Sequence, residues 1–229
     1  LHEFRVLTNL NHPAIIQPQG LSLSDFDDDP HPIFLLEYMP NGSLRDIVEK
    51  LEQQISPTSW NHTKLLINLY GIAHAMAYLY TKGIIHRDLK PGNVLLDSKF
   101  YPRISDFETS QSANSSISTQ SLSGTLCTIL YVSPETVSHS SCSSKSDVYS
   151  FGMLVFQLFE PIPPDFIRTQ FQLLTRIVAG ERPKFTKPIP SCYKKLIERC
   201  WAHDPEKRPS FEEIVQMLIA DTSFIRELG

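Results

Sequence analysis

His86-Arg87-Asp88-Leu89-Lys90-Pro91-Gly92-Asn93-Val94-Leu95-Leu96 places an acid, a lysine and an amide in one short loop and then runs directly into apolar residues. Residues of that apolar kind bury, so the polar groups before them stand on a rigid base. A histidine, an arginine and an aspartate in a loop are, on their own, more often a satisfied surface turn. The full order, followed by Val-Leu-Leu, is too specific for that bland account.

Phosphoryl transfer needs such a set: a carboxylate to orient and deprotonate an attacking hydroxyl, a cation for developing phosphate charge, and an oxygen ligand for magnesium. Asp88, Lys90 and Asn93 suit those roles in turn. The stretch resembles the catalytic loop of eukaryotic protein kinases, H-R-D-L-K-P-x-N, at every fixed position. Further on, Ile104-Ser105-Asp106-Phe107-Glu108 resembles the D-F-G magnesium motif of the same family, with glutamate in place of glycine. The resemblance implies an α+β, bilobal kinase fold, with Asp88 and Lys90 as catalytic residues and Asn93 and Asp106 as metal ligands. ATP and Mg2+ are the implied cofactors.

Composition agrees with a folded unit. The chain has 229 residues, 41% of them hydrophobic, enough for a substantial core. A net charge of −4 gives no general basic field for nucleic acid or an anionic membrane. Cys127, Cys142, Cys192 and Cys200 lack zinc-site spacing and disulfide-scaffold density, so reduced thiols in a cytoplasmic protein are expected. No apolar run is long enough to cross a bilayer, and the start lacks a secretion-signal pattern. The chain begins with Leu1, so a piece of a longer polypeptide is expected.

Leu1, Phe4, Leu7 and Leu10 recur at a helical step, and Asn11-His12-Pro13 ends that run. The resemblance makes Glu3 the glutamate of the mobile N-lobe helix. Its usual lysine partner lies on an upstream strand that this sequence does not contain, and Lys50 and Lys64 are misplaced to substitute. Residues 14–23 and 33–38 read as short strands around an acidic turn, Asp25 to Asp29, which lacks the spacing of an EF-hand. Between Asn61 and Lys82, Leu65, Leu69, Ile72, Met76 and Leu79 keep close to a 3.6 period, predicting a long helix with Met76 in the core. His74 lies off that stripe and receives no role.

Leu35 to Leu44 resembles the kinase hinge. Residues 1–38 are then a partial N-lobe, 39–44 the hinge and 45–229 the C-lobe, with an activation segment over 106–135. The resemblance implies Leu36 as gatekeeper, the Glu37 carbonyl and the Met39 amide and carbonyl against adenine, Ser43 near the ribose, and Leu95 among the nucleotide-binding positions. Taken alone, Pro40-Asn41-Gly42-Ser43 is an ordinary turn capping the next helix, and both accounts can hold.

From Phe107 to Ile129 the sequence is crowded with Ser, Thr, Gln and Asn, a composition that buries little. Phosphorylation there is one option, read by Arg87 through charge-assisted hydrogen bonds; an unmodified polar loop is the other. Thr128 to Glu135 resembles the end of that loop, with Cys127 in place of a glycine and Ser133 in place of an alanine. Gly124-Thr125 resembles the same start three residues early; Thr128 keeps the spacing to Pro134-Glu135 and is preferred as the threonine that would bond Asp88 and Lys90. The resemblance further implies that Asp147, a buried aspartate in need of partners, holds backbone amides of the catalytic loop and that Arg208 pairs with Glu135; Ser210 with Glu213 forms a capping box.

Lys90 resembles the serine/threonine class. Residues 37–44, Asp147 to Gly152 and Trp201 resemble the tyrosine-kinase group instead. A tyrosine-kinase-like serine/threonine kinase is the resulting expectation, acting on Ser or Thr hydroxyls of protein substrates. A scaffolding pseudokinase or truncated product is the alternative, motivated by the missing upstream half and by Glu108, which should restrict loop movement. The isolated fragment is expected to be weakly active or inactive.

Overall fold

The computed structural model describes residues 2–25, 27, 29, 31–55, 59–112 and 129–226. Helix α1 (His2–Leu7) buries Leu7, and the chain tightens after it so that Leu10 still reaches the core. The helix is shorter than its apolar stripe because Asn11-His12-Pro13 follows so closely.

Strands β1 (Pro18–Ser22) and β2 (Ile33–Leu36) pair antiparallel, with Leu21 opposite Phe34. The predicted first strand starts late. Ala14, Ile15 and Ile16 are all buried and bond to Ile104 instead, the Ile16 N–H donating to its carbonyl at 2.9 Å. Pro18 then takes the first strand position, where a missing N–H is tolerated.

Helix α2 (Leu44–Glu52) follows the turn at Gly42, whose φ is +68°. A Cβ there would lie 2.6 Å from a carboxylate oxygen of Asp46, so the turn needs glycine on both counts. Helix α3 (His62–Thr81) begins at Asn61, whose side chain accepts from the Lys64 N–H, and buries the predicted stripe, Met76 included. Strands β4 (Val94–Leu96) and β5 (Pro102–Ile104) form a hairpin with Val94 opposite Ile104, while β3 (Ile84–Ile85) pairs with β6 (Gln111–Ser112).

The remainder is helical: α4 (Pro134–His139), α5 (Ser144–Gln157), α6 (Gln170–Val178), α7 (Ser191–Cys200), α8 (Phe211–Ala220) and α9 (Ser223–Arg226). Helix α5 is buried without a break from Ser146 to Phe156, the pattern of a helix enclosed on all sides. It meets α7 at Gly152, where a Cβ would stand 2.8 Å from that of Cys200. Helix α8 packs on α3 and starts in the predicted Ser210–Glu213 capping box. One apolar cluster joins Leu7 and Ile15 of the N-terminal part to Phe151 and Trp201. Each large apolar side chain buried there contributes about 1.5–3 kcal/mol. Among the described residues, no helix is long and apolar enough to cross a membrane.

Candidate active site

The loop between β3 and β4 is held from beneath. Asp147, on the enclosed helix α5 and only 2% exposed, accepts from the His86 N–H through Oδ2 and from the Arg87 N–H through Oδ1, each at 2.9 Å. Burial pushes its carboxyl above the ordinary aspartate range, against the opposing pull of His86, the two amides and Arg87. Arg87 adopts φ +72°, a left-handed backbone that its neighbours must enforce. The buried His86 ring donates from Nε2 to the Ser105 carbonyl at 3.1 Å and accepts the Asp88 N–H at Nδ1, 3.3 Å away. These partners assign its tautomer. Its ring also meets Phe107 edge to face at 5.0 Å.

On this base the predicted residues converge. Lys90 Nζ lies 2.5 Å from Asp88 Oδ2, and Asn93 Nδ2 donates to the same oxygen and to the Asp88 carbonyl, both at 2.9 Å. Two acceptors at one end of the Asn93 amide require its NH2 there, which turns Oδ1 away. Asp88 Oδ1 has no hydrogen-bond partner among the described residues. The Asn93 carbonyl accepts the Ser105 N–H at 2.9 Å and the Ser105 hydroxyl at 3.1 Å, seating the next residue, Asp106, beside the loop. Asp106 has φ +64° and no hydrogen-bond partner among the described residues. Holding aspartate in that conformation costs on the order of 1–3 kcal/mol. Such strain clusters at functional sites.

Helix α1 is tied to the same segment. Glu3 Oε1 accepts the Phe107 N–H at 3.1 Å, and His2 Nε2 lies 3.0 Å from the Ser110 carbonyl. The sequence suggested only an absent lysine as partner for Glu3; the Phe107 amide was not foreseen. Phe107 is fully buried, whereas Glu108 is exposed and is not among the residues with positive φ. The backbone freedom of glycine is therefore not used at position 108 in this conformation.

At the hinge, Leu36 and Met39 are half-buried against the core. The Glu37 carbonyl and the Met39 N–H form no hydrogen bond among the described residues, and the Met39 carbonyl accepts only the Gly42 N–H, at 3.3 Å. This leaves backbone donors and acceptors open where the resemblance placed adenine. The Glu37 carboxylate is engaged, accepting the Gln17 N–H at 2.9 Å and lying 3.4 Å from Arg103. Ser43 donates its N–H and hydroxyl to Asp46, at 2.6 and 2.8 Å, and its backbone bridges to Leu95. Its capping role is thus present, and Ser43 and Leu95 are neighbours across the hinge. Lys64 reaches the Lys99 carbonyl instead of the site.

Thr128, Gly124, Thr125 and Cys127 lie outside the described residues, as does most of the predicted activation segment. At its start, Arg87 Nη1 donates to Gln111 Oε1 at 2.6 Å. At its end, Glu135 meets Arg208 through two bonds, 2.7 and 2.9 Å, with Arg208 only 1% exposed. Burial raises the Glu135 pKa, but the bonds and charge of Arg208, with smaller backbone and Ser133 contributions, outweigh it and leave the pKa lowered.

A carboxylate, an ammonium and an amide gathered over a buried aspartate, with Asp106 seated beside them, form the arrangement that the resemblance to protein kinases implied. A family model described as protein tyrosine and serine/threonine kinase matches residues 1–218, and the chain belongs to that family. Members of this family generally use ATP with Mg2+. The chain is 31% identical over 223 residues to a probable serine/threonine-protein kinase of Dictyostelium discoideum, covering 94% of this chain and 16% of that protein. It is 32% identical over 219 residues to tyrosine-protein kinase csk-1 of Caenorhabditis elegans, covering 95% and 39%. It is also 32% identical over 225 residues to serine/threonine/tyrosine-protein kinase HT1 of Arabidopsis thaliana, covering 94% and 53%. The chain thus spans about half the length of these relatives or less.

Proposed function

We propose that the protein carrying this chain transfers the γ-phosphoryl group of ATP to serine or threonine hydroxyls of protein substrates. The observation that carries this reading is the Asp88–Lys90–Asn93 cluster. Its contacts fix Oδ2 of Asp88 and, among the described residues, leave Oδ1 open to accept the proton of an attacking hydroxyl. Lys90, 2.5 Å from Asp88, supplies positive charge where the transferred group would pass.

The donor set suits Mg2+. Asn93 Oδ1 and the Asp106 carboxylate are hard oxygen ligands without a hydrogen-bond partner among the described residues, the kind this cation takes alongside phosphate oxygens. When bound, the ion neutralises phosphate charge. The chain's own residues do the positioning: Asp147 sets the loop, His86 and Ser105 align Asp106 with Asn93, and the hinge offers unpaired backbone groups to a purine edge. Lys90 supports the serine/threonine assignment by resemblance.

Phosphoamino-acid analysis of a general protein acceptor tests the assignment. Phosphoserine and phosphothreonine, lost in Asp88→Asn, are expected from a polypeptide containing this chain. Phosphotyrosine alone would overturn the acceptor class. Absence of an ATP-dependent, Mg2+-dependent rise in melting temperature from both this chain and a longer polypeptide would overturn the reaction itself.

A further inference from the structure

Arg87 stands immediately before Asp88, in a left-handed backbone that an arginine does not take up unaided. Asp147 holds its N–H from one side, at 2.9 Å. The second hold is on its side chain: Nη1 donates to Oε1 of Gln111, 24 residues further along the chain, at 2.6 Å. Among the described residues the guanidinium has no other hydrogen bond and no ion-pair partner. An amide oxygen facing a guanidinium makes a charge-assisted bond, roughly twice as strong as a neutral one.

Gln111 is itself firmly seated. It opens β6, opposite Ile85 of β3. The turn before it is closed by the Phe107 carbonyl, which accepts the Ser110 N–H at 3.1 Å and the Ser110 hydroxyl at 2.6 Å. The Thr109 hydroxyl donates to the His86 carbonyl at 3.3 Å, and Ser110 is buried. Helix α1 adds the Glu3 and His2 contacts to Phe107 and Ser110. The Gln111 side chain therefore meets Arg87 from a backbone pinned at several points. A phosphate would bring an acceptor for an arginine only after modification. Gln111 brings one from the sequence itself, and it carries no charge.

We infer that Gln111 is a positioning residue for phosphoryl transfer: through Arg87 it fixes the backbone that presents Asp88, and it orders the start of the activation segment without a phosphate. The inference rests on the phosphoryl-transfer reading above and adds how that site is kept assembled. Arg87 is the pivot, because its backbone angles set the direction of the residue after it. Released from Gln111, it relaxes towards the ordinary right-handed region and carries Asp88 away from Lys90 and Asn93. The contact is complete before any modification, so assembly of this part of the site does not wait for one.

Amide hydrogen exchange on the 229-residue chain, read over residues 84–88 and 109–112, tests this. Gln111→Leu removes the acceptor and keeps the volume. It is expected to speed exchange in both stretches about tenfold, the loss of one hydrogen bond to a charged group. Gln111→Glu keeps an acceptor and should hold exchange at or below the original rate, an advantage that shrinks as salt rises. Arg87→Met should match Gln111→Leu, and the double variant should add little to either. A strand residue of purely structural value would give additive losses and no rescue by glutamate. Exchange in Gln111→Leu within about twofold of the original, additivity with Arg87→Met, or failure of the glutamate rescue overturns the inference. Turnover by a polypeptide containing this chain supplies the second arm. It should survive phosphatase treatment, and Gln111→Leu should lower kcat about tenfold with KM for ATP unchanged; loss of turnover on dephosphorylation overturns the inference as well. Coupled exchange without phosphate transfer by any such polypeptide leaves the Arg87–Gln111 brace and counts against phosphoryl transfer. Turnover with uncoupled exchange does the reverse.

Discussion

Replacing Asp147 with alanine should unseat the catalytic loop while leaving every residue of that loop in place. The two amides it holds at 2.9 Å, those of His86 and Arg87, would be left buried without an acceptor. Each orphaned donor costs about 1–3 kcal/mol. Two terms offset this: the buried carboxyl no longer has to be desolvated, and Arg87 is free to leave its left-handed backbone, worth on the order of 1 kcal/mol. The expected net loss is about 2–4 kcal/mol, a large share of the ~5–15 kcal/mol that stabilises a typical domain. Asp147→Asn retains one acceptor and the side-chain volume, and should cost roughly half as much. Urea unfolding measures the loss, and amide hydrogen exchange at His86 and Arg87 localises it. A loss below about 1 kcal/mol with unchanged exchange at both amides would refute the view that Asp147 sets the loop geometry.

Two further predictions concern acid stability. Glu135→Gln or Arg208→Met should destabilise by about 3–5 kcal/mol, since each leaves a buried polar partner unmatched. The Glu135 pKa is lowered on folding, so its contribution is complete above the unfolded value of 4.5 and is lost as pH falls through the folded value; Glu135→Gln should flatten the acid limb of a pH–stability curve. His12 behaves in a different window. Its pKa is lowered from 6.5 to about 4, by burial first and then by His74 and Arg103, so the unfolded chain takes up a proton there that the folded one refuses. Stability should therefore decline as pH drops from 6.5 towards 4 and level off below. The full shift is worth about 3 kcal/mol. With His74 open to solvent and screening the pair, about 1–2 kcal/mol is expected, read as a slope in melting temperature that His12→Asn removes.

The parts legible in the sequence were those written in consecutive residues or at a fixed period. The catalytic loop, the stripe of α3 and the Ser210–Glu213 capping box all belong to this kind. Asp147 under the loop and the Glu135–Arg208 pair were legible through family resemblance, although no local pattern joins those positions. Contacts set by tertiary packing were not legible. Glu3 finds the Phe107 amide 104 residues away, and only the docking of α1 brings them together. His74 lies off the apolar stripe, yet its Nδ1 is 2.7 Å from His12 Nε2 and its ring stacks on Tyr70, because the turn after α1 rests on that face of α3. Ala14 to Ile16 bury three residues in a row against Ile104, which alternation cannot signal.

The clamp on Glu135 also orders events in time. Arg208 follows it by 73 residues, and at ribosomal speeds of about 5–20 residues per second it is synthesised roughly 4–15 s later. Throughout that interval the carboxylate at the foot of the activation segment waits without its guanidinium. A nascent chain halted before Arg208 should expose this region to chaperones and proteases, even with the whole catalytic loop already made.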